Sequence, residues 1–190
     1  MNIFQHLERA AIFFPDKKAV LFEDTSLSYN RLKTDAKRLA QTMQANGIGK
    51  GDRVALYLPN IPAFAVCYYA AVSLGAIAVS VNAMLKSVEL KYILNDSGAI
   101  LVCTTGELLS NLPLNACPDL KTVLVCEGDS NGNPTLEQWV ANGTDDGVYL
   151  DLDPDDPAVL LLTRWKNTRL FRLTMLSIMH GKNRRAKTQH

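Results

Sequence analysis

From Val54 to Leu85 the chain carries no charged side chain, and a stretch of that kind has few ways to fold. It is either buried on all sides within a protein or placed in a membrane. Within it, Ala63 to Val81 forms a mainly apolar run of 19 residues, long enough to qualify as a membrane span. Other marks divide the run. Pro59 and Pro62 open it, Gly75 interrupts it, and beyond Ile77 the apolar Val79 and Val81 alternate with Ser80 and Asn82. The pattern is read as a buried helix, a turn and a buried strand, with no stable membrane span expected. A small membrane-anchored protein stands as the competing reading.

The flanks follow the same alternation. Between Ser28 and Asn46, Leu32, Ala36, Leu39, Ala40 and Met43 recur at helical spacing, with Ser28 placed to cap the start and Gly47 to close the end. Gly49-Lys50-Gly51-Asp52 turns the chain into an apolar strand, Arg53 to Leu58. Asn60 is expected to cap the next helix, whose first turn holds Pro62. A strand near Ile77 to Val81, a helix from Ser87 to Asn95, a strand Ile100 to Cys103, a short helix from Thr105 and a strand Thr122 to Cys126 come next. Thr135 and Gln138 then form a T-x-x-Q box for a last helix ending near Asn142-Gly143. Helices alternating with short apolar strands imply parallel strands joined by right-handed crossovers, hence a three-layer α/β domain. Val159 to Leu162 supplies one more strand, reached through a solvated connector, Asp145 to Asp156, with six acids.

With 47% hydrophobic and 21% charged residues in 190, the chain has material for one or two sizeable cores. Its N-terminus mixes charges into an amphipathic pattern unlike a secretory signal, so a cytoplasmic protein is expected. Cys67, Cys103, Cys117 and Cys126 form no C-x-x-C pair and sit in or beside apolar runs, which suits buried reduced thiols better than metal ligands. Charge divides the chain at one point. All 19 acidic residues precede position 164, with 12 basic ones, whereas the last 27 residues carry 8 basic side chains and no acid. Residues 164–190 are read as an unstructured basic tail, without periodicity, rather than as a nucleic-acid arm.

Four features occur in one order: Leu27-Ser28-Tyr29-x-x-Leu32; Gly49-Lys50-Gly51-Asp52-Arg53-Val54 followed by Pro59-Asn60; Gly75-Ala76 with Asn82; and Asp155-Asp156-Pro157-Ala158 before an apolar strand. Together, over residues 1–163, they closely resemble the N-terminal part of the AMP-forming acyl-CoA synthetases, within the adenylate-forming ligases. The resemblance implies a three-layer parallel-sheet N-terminal domain of such a ligase, incomplete. It also implies ATP, Mg2+ and coenzyme A as cofactors and a small carboxylic acid, a fatty acid by default, as substrate. Such enzymes join the acid to the α-phosphate of ATP and then pass the acyl group to the thiol of coenzyme A.

In that family a loop S-G-T-T-G-x-P-K-G follows the strand, where glycines let the backbone wrap a phosphate and the lysine adds a point charge. Thr163 matches the residue leading into this loop. Arg164, Trp165 and Lys166 stand where its first residues belong, and the only later glycine is Gly181. Lys166 or Lys182 offers charge without a backbone cradle. No catalytic or metal-binding residue is therefore assigned, and the chain is expected to be catalytically incomplete. Codons compatible with Arg169 to Gly181, read from their third bases, permit K-A-V-x-T-H-N-A-L-N-N-A-W, similar to the family's K-G-x-x-x-T-H-x-N-x-x-x-N-A. The tail is accordingly read as an out-of-frame translation of a former synthetase gene. An acyl- or partner-binding fragment, self-associating through exposed apolar surface, is the non-catalytic alternative; in it the helix Ile61 to Val72, with Tyr68 and Tyr69, lines an acyl pocket or fills the core.

Overall fold

The computed structural model describes residues 2–144, 146, 152–153, 156–165 and 169–174, with backbone alone at 162–165 and 169–174. Helix α1 (Ile3–Phe13) opens on a reciprocal cap in which Asn2 and Gln5 each accept the other's backbone N–H at 2.9 Å. An antiparallel pair, β1 (Lys18–Phe22) and β2 (Thr25–Ser28), leads into α2 (Tyr29–Ala45). The rest alternates: β3 (Arg53–Tyr57), α3 (Pro62–Ser73), β4 (Ile77–Val81), α4 (Ser87–Ser97), β5 (Leu101–Thr104), β6 (Thr122–Val125), α5 (Leu136–Asn142), β7 (Val159–Trp165) and β8 (Arg169–Thr174). Two 3-10 turns, Gly106–Asn111 and Leu114–Ala116, join β5 to β6.

The main sheet runs β6-β5-β3-β4-β7-β8, parallel through β7, with β8 antiparallel to β7. Period-two alternation divides its side chains between two cores. Val54 and Leu56 of β3, with Leu101 and Cys103 of β5, face the layer that holds α1, α2, α3 and α5. Ala55, Tyr57 and Val102 face α4 and the 3-10 turns. All of these side chains are fully buried, which is why the strands read as continuous apolar runs.

The charge-free stretch therefore belongs to a layered core. Among the described residues no helix is long and apolar enough to cross a membrane. Helix α3 has 12 residues, and Gly75, at φ +66°, turns the chain into β4. A side chain at Gly75 would also stand 2.6 Å from Leu152 Cδ2.

One expectation is corrected. Helix α3 takes Ile61, not Asn60, as its N-cap, with no side-chain cap; Pro62 at the first turn removes one of the amides that a cap would serve. Of the tail expected from position 164 onward, residues 166–168 and 175–190 lie outside the described residues. Strand β7 continues through Arg164 and Trp165, and Arg169–Thr174 returns along it, pairing Thr163 with Phe171. The outer edge of β7 offers a row of backbone donors and acceptors, and a returning strand satisfies them.

Helix α5 shows how much a cap matters in a short element. Thr135 Oγ1 accepts the Gln138 amide at 3.2 Å while Gln138 Oε1 accepts the Thr135 amide at 3.0 Å. Seven residues do not sustain a helix alone, so α5 relies on this box, on buried Trp139, and on the Thr42 hydroxyl, which donates to the Trp139 carbonyl at 2.7 Å. Thr135→Ala is expected to cost about 1 kcal/mol in urea denaturation.

Candidate functional site

Three of the four features singled out in the sequence include a turn that introduces a parallel strand, β3, β4 or β7. The turn before β3 is closed by Asp52, whose Oδ2 accepts the Gly49 amide at 2.9 Å. The Gly51 amide donates to the Gly75 carbonyl at 2.9 Å, and Ile77 donates to the Asp52 carbonyl at 2.7 Å, so the starts of β3 and β4 are tied together. Lys50 Nζ meets Asp156 Oδ2 at 2.6 Å, and the Ala78 amide donates to the Ala158 carbonyl at 2.9 Å, which seats β7 beside β4. Lys50 holds the Asp156 carboxyl below the usual carboxylate range. These residues are scaffold.

In parallel α/β sheets ligands bind beyond the carboxyl ends of the strands, where successive crossovers leave on opposite faces. Here α3 leaves β3 toward one layer and α4 leaves β4 toward the other. Tyr57 ends β3, fully buried; its hydroxyl donates to the Leu85 carbonyl at 2.7 Å and accepts from Asn111 Nδ2 at 3.1 Å. Burial pushes that hydroxyl's pKa up, against the Asn111 hydrogen bond. Asn82, leaving β4, accepts the Met84 amide at 2.9 Å and shapes the turn into α4. Thr104 ends β5 with no exposed surface and no hydrogen-bond partner for Oγ1. Gly106 beyond it donates to the Glu127 carbonyl at 2.8 Å, and a side chain there would strike the Asp129 backbone.

Thr163 joins this edge through its backbone. Leu161 pairs with Ser80, so Thr163, two residues on, stands level with Asn82, one residue past the end of β4. Past it the backbone continues as paired strand through Trp165. Lys166 and Lys182 lie outside the described residues. Among the described residues no group of three or more His, Cys, Asp or Glu side chains could hold a metal ion. With strand in place of a glycine loop after Thr163, these residues do not fit a magnesium-bound triphosphate.

Tyr68 and Tyr69 pack against the larger core, their rings edge to face at 5.4 Å. Burial raises both hydroxyl pKa values.

The cysteine spacing concealed a convergence. Cys67 of α3, Cys103 of β5 and Cys126 after β6 meet under the α2–α5 layer, with 3.6 Å between the Cys67 and Cys126 sulfurs. All four cysteines are free thiols; Cys67, Cys103 and Cys117 are buried, while Cys126 is half-buried. Cys126 opens on a cleft of about 500 Å³ whose walls include Arg31, Asp35, Arg38, Val66 and Glu137. Only parallel register could have revealed this, because these cysteines come from three separate elements.

Known proteins share this fold. Over 136 residues the chain is 43% identical to the long-chain-fatty-acid–CoA ligase FadD13 of Mycobacterium tuberculosis, covering 72% of this chain and 25% of that one. The inhibitor-bound N-terminal domain of FACL13 from Mycobacterium tuberculosis superposes with a TM-score of 0.79 at 27% identity, over 92% of this chain and 44% of that one. The anthranilate CoA ligase AuaEII, in complex with anthranoyl-AMP, shares the fold with a TM-score of 0.87 at 22% identity, over 93% of this chain and 35% of that one. The chain thus spans a quarter of the length of its curated relative. The match to the family profile of AMP-binding enzymes runs over residues 7–163, from within α1 into β7, and the chain belongs to that family.

Proposed function

We propose that this chain represents the N-terminal scaffold of an acyl-CoA ligase, whose complete reaction activates a carboxylic acid with ATP and transfers the acyl group to coenzyme A. A fatty acid is the substrate class favoured by the 43% identity to a long-chain-fatty-acid–CoA ligase. The observation that carries the reading is the family match over residues 7–163, which ends within β7 beside the carboxyl end of β4. ATP, Mg2+ and coenzyme A enter as the cofactors of that complete reaction, and no step is assigned to residues of this chain. Its part is to hold the starts of β3, β4 and β7 in register, so that their far ends present Tyr57, Asn82 and Thr163 together.

The same observation sets the expected activity. Loss of one preorganised donor from a transition-state site lowers a rate on the order of a hundredfold, and the stretch after Thr163 lacks the whole glycine cradle. Purified chain, supplied with ATP, Mg2+, labelled pyrophosphate and mixed fatty acids, is expected to show no ATP–pyrophosphate exchange above background. Exchange above background would overturn the assignment of a catalytically silent scaffold.

A further inference from the structure

We infer that Cys126 is an oxidation site for hydroperoxides and that Cys67 resolves it, closing a disulfide between the end of β6 and helix α3. The sulfurs already stand in van der Waals contact at 3.6 Å, and a disulfide at about 2.05 Å requires a modest further approach. Access is one-sided. Cys67 and Cys103 have no exposed surface, whereas Cys126 is half-buried and opens on the cleft between α2 and α5. An oxidant therefore meets Cys126 first.

The surroundings favour the reactive form at that sulfur. Hydrogen bonding with the Cys103 and Cys67 thiols and the Thr104 backbone lowers the Cys126 pKa to about 5, against its own burial, while the pKa values of Cys67 and Cys103 are raised. The thiolate is the nucleophile. The nearby Arg31 is paired with Asp35 at 2.7 Å, so the hydrogen bonds from the buried thiols, rather than net cleft charge, provide the stabilisation.

The reaction balances as follows. The Cys126 thiolate attacks the terminal oxygen of a hydroperoxide; the O–O bond breaks, and the leaving alkoxide or hydroxide takes a proton and departs as alcohol or water. Cys126 becomes a sulfenic acid. The Cys67 sulfur then attacks the Cys126 sulfur, an S–S bond forms as the S–O bond breaks, and the Cys67 proton leaves with the hydroxyl as water. Two thiols are oxidised by two electrons and one peroxide is reduced. Cys103 is the poorer resolving partner. It pairs with Leu124 across adjacent parallel strands, which places Cys126 two residues along the neighbouring strand. Strand spacing and rise put such Cα atoms about 8 Å apart, beyond the roughly 7 Å that a disulfide spans.

The test uses the full chain, fully reduced, with hydrogen peroxide at neutral pH. Free thiols counted after denaturation should fall from four to two, the intact mass should drop by two hydrogens, and the cross-linked peptide should join Cys67 to Cys126, all reversed by dithiothreitol. Cys126→Ser should slow thiol loss roughly tenfold or more. Cys67→Ser should halt at one added oxygen on Cys126, trapped by dimedone. Equal thiol loss in Cys126→Ser, or a cross-link through Cys103 or Cys117, would overturn the inference. Should a variant fail to fold, iodoacetamide labelling of the unsubstituted chain decides. Alkylation of Cys126 should reach half its maximal rate below pH 7, and a midpoint near the ordinary thiol value of about 8.5 overturns the assignment.

Discussion

Replacing Leu56 by alanine is expected to lower folding stability by about 3–4 kcal/mol, seen as a lower urea midpoint. Leu56 has no exposed surface and lies on β3, the strand flanked by β4 on one side and β5 on the other. Its neighbours there are backbone-anchored elements of the larger core, which cannot collapse freely into the space left, so both transfer and cavity costs apply. A domain of this size has only about 5–15 kcal/mol in hand, and the variant should therefore unfold under mild conditions. Leu114, half exposed on a 3-10 turn, is the matched control. Its alanine variant should stay within about 0.5 kcal/mol of the parent. Equal losses at both sites would refute the placement of β3 at the centre of the sheet.

Arg53 should be the most sensitive charged residue in the scaffold. Its Nε donates to the Ser97 carbonyl at 2.7 Å, Nη2 to the Gly98 carbonyl at 2.8 Å, and Nη1 to the Gly51 carbonyl at 3.2 Å. One planar guanidinium thus joins the turn before β3 to the C-terminus of α4, where orphan carbonyls collect. Arg53→Met keeps much of the aliphatic stem and removes all three donors. Hydrogen bonds to charged groups contribute about 1.5–3 kcal/mol each, and water will reach part of the exposed side, so a net loss of about 3 kcal/mol is expected. Arg53→Lys should recover less than half of it, because an ammonium cannot reproduce the fork. Full rescue by lysine in the same denaturation assay would show that charge, not geometry, is what matters there.

Much of the layered domain could be read from the chain because its strands are buried on both faces and its helices on one. The apolar run Val54 to Leu58 and the stripe Leu32, Ala36, Leu39 and Met43 are signals of that kind; the stripe falls inside α2, and the run inside β3 except for Leu58, one residue past its end. The β1–β2 pair escaped notice. Its residues are half-exposed or exposed, so alternation there is weak, and Glu23 takes φ +48° in the turn where a glycine would have announced it. Arg53 was visible as part of a pattern, but its role was not, since its acceptors are carbonyls that any sequence supplies. The site divides in the same way. Thr163 was singled out by resemblance to a family motif, whereas the unpartnered hydroxyl of Thr104 and the three converging thiols depend on which strands are neighbours, a long-range property that local spacing does not encode.

The strand order also fixes a timetable. β3, β4, β5 and β6 follow one another along the chain, yet the neighbour that covers the outer edge of β4 is β7, with Val159 pairing to Ala78. The two partners are separated by 81 residues, which at about 5–20 residues per second is roughly 4–16 s of synthesis. Throughout that interval β4 exposes an unpaired, apolar rim on the nascent chain. The sheet is completed out of chain order, and the period in which a stray strand or a chaperone can occupy that rim is set by translation speed rather than by any property of the finished fold.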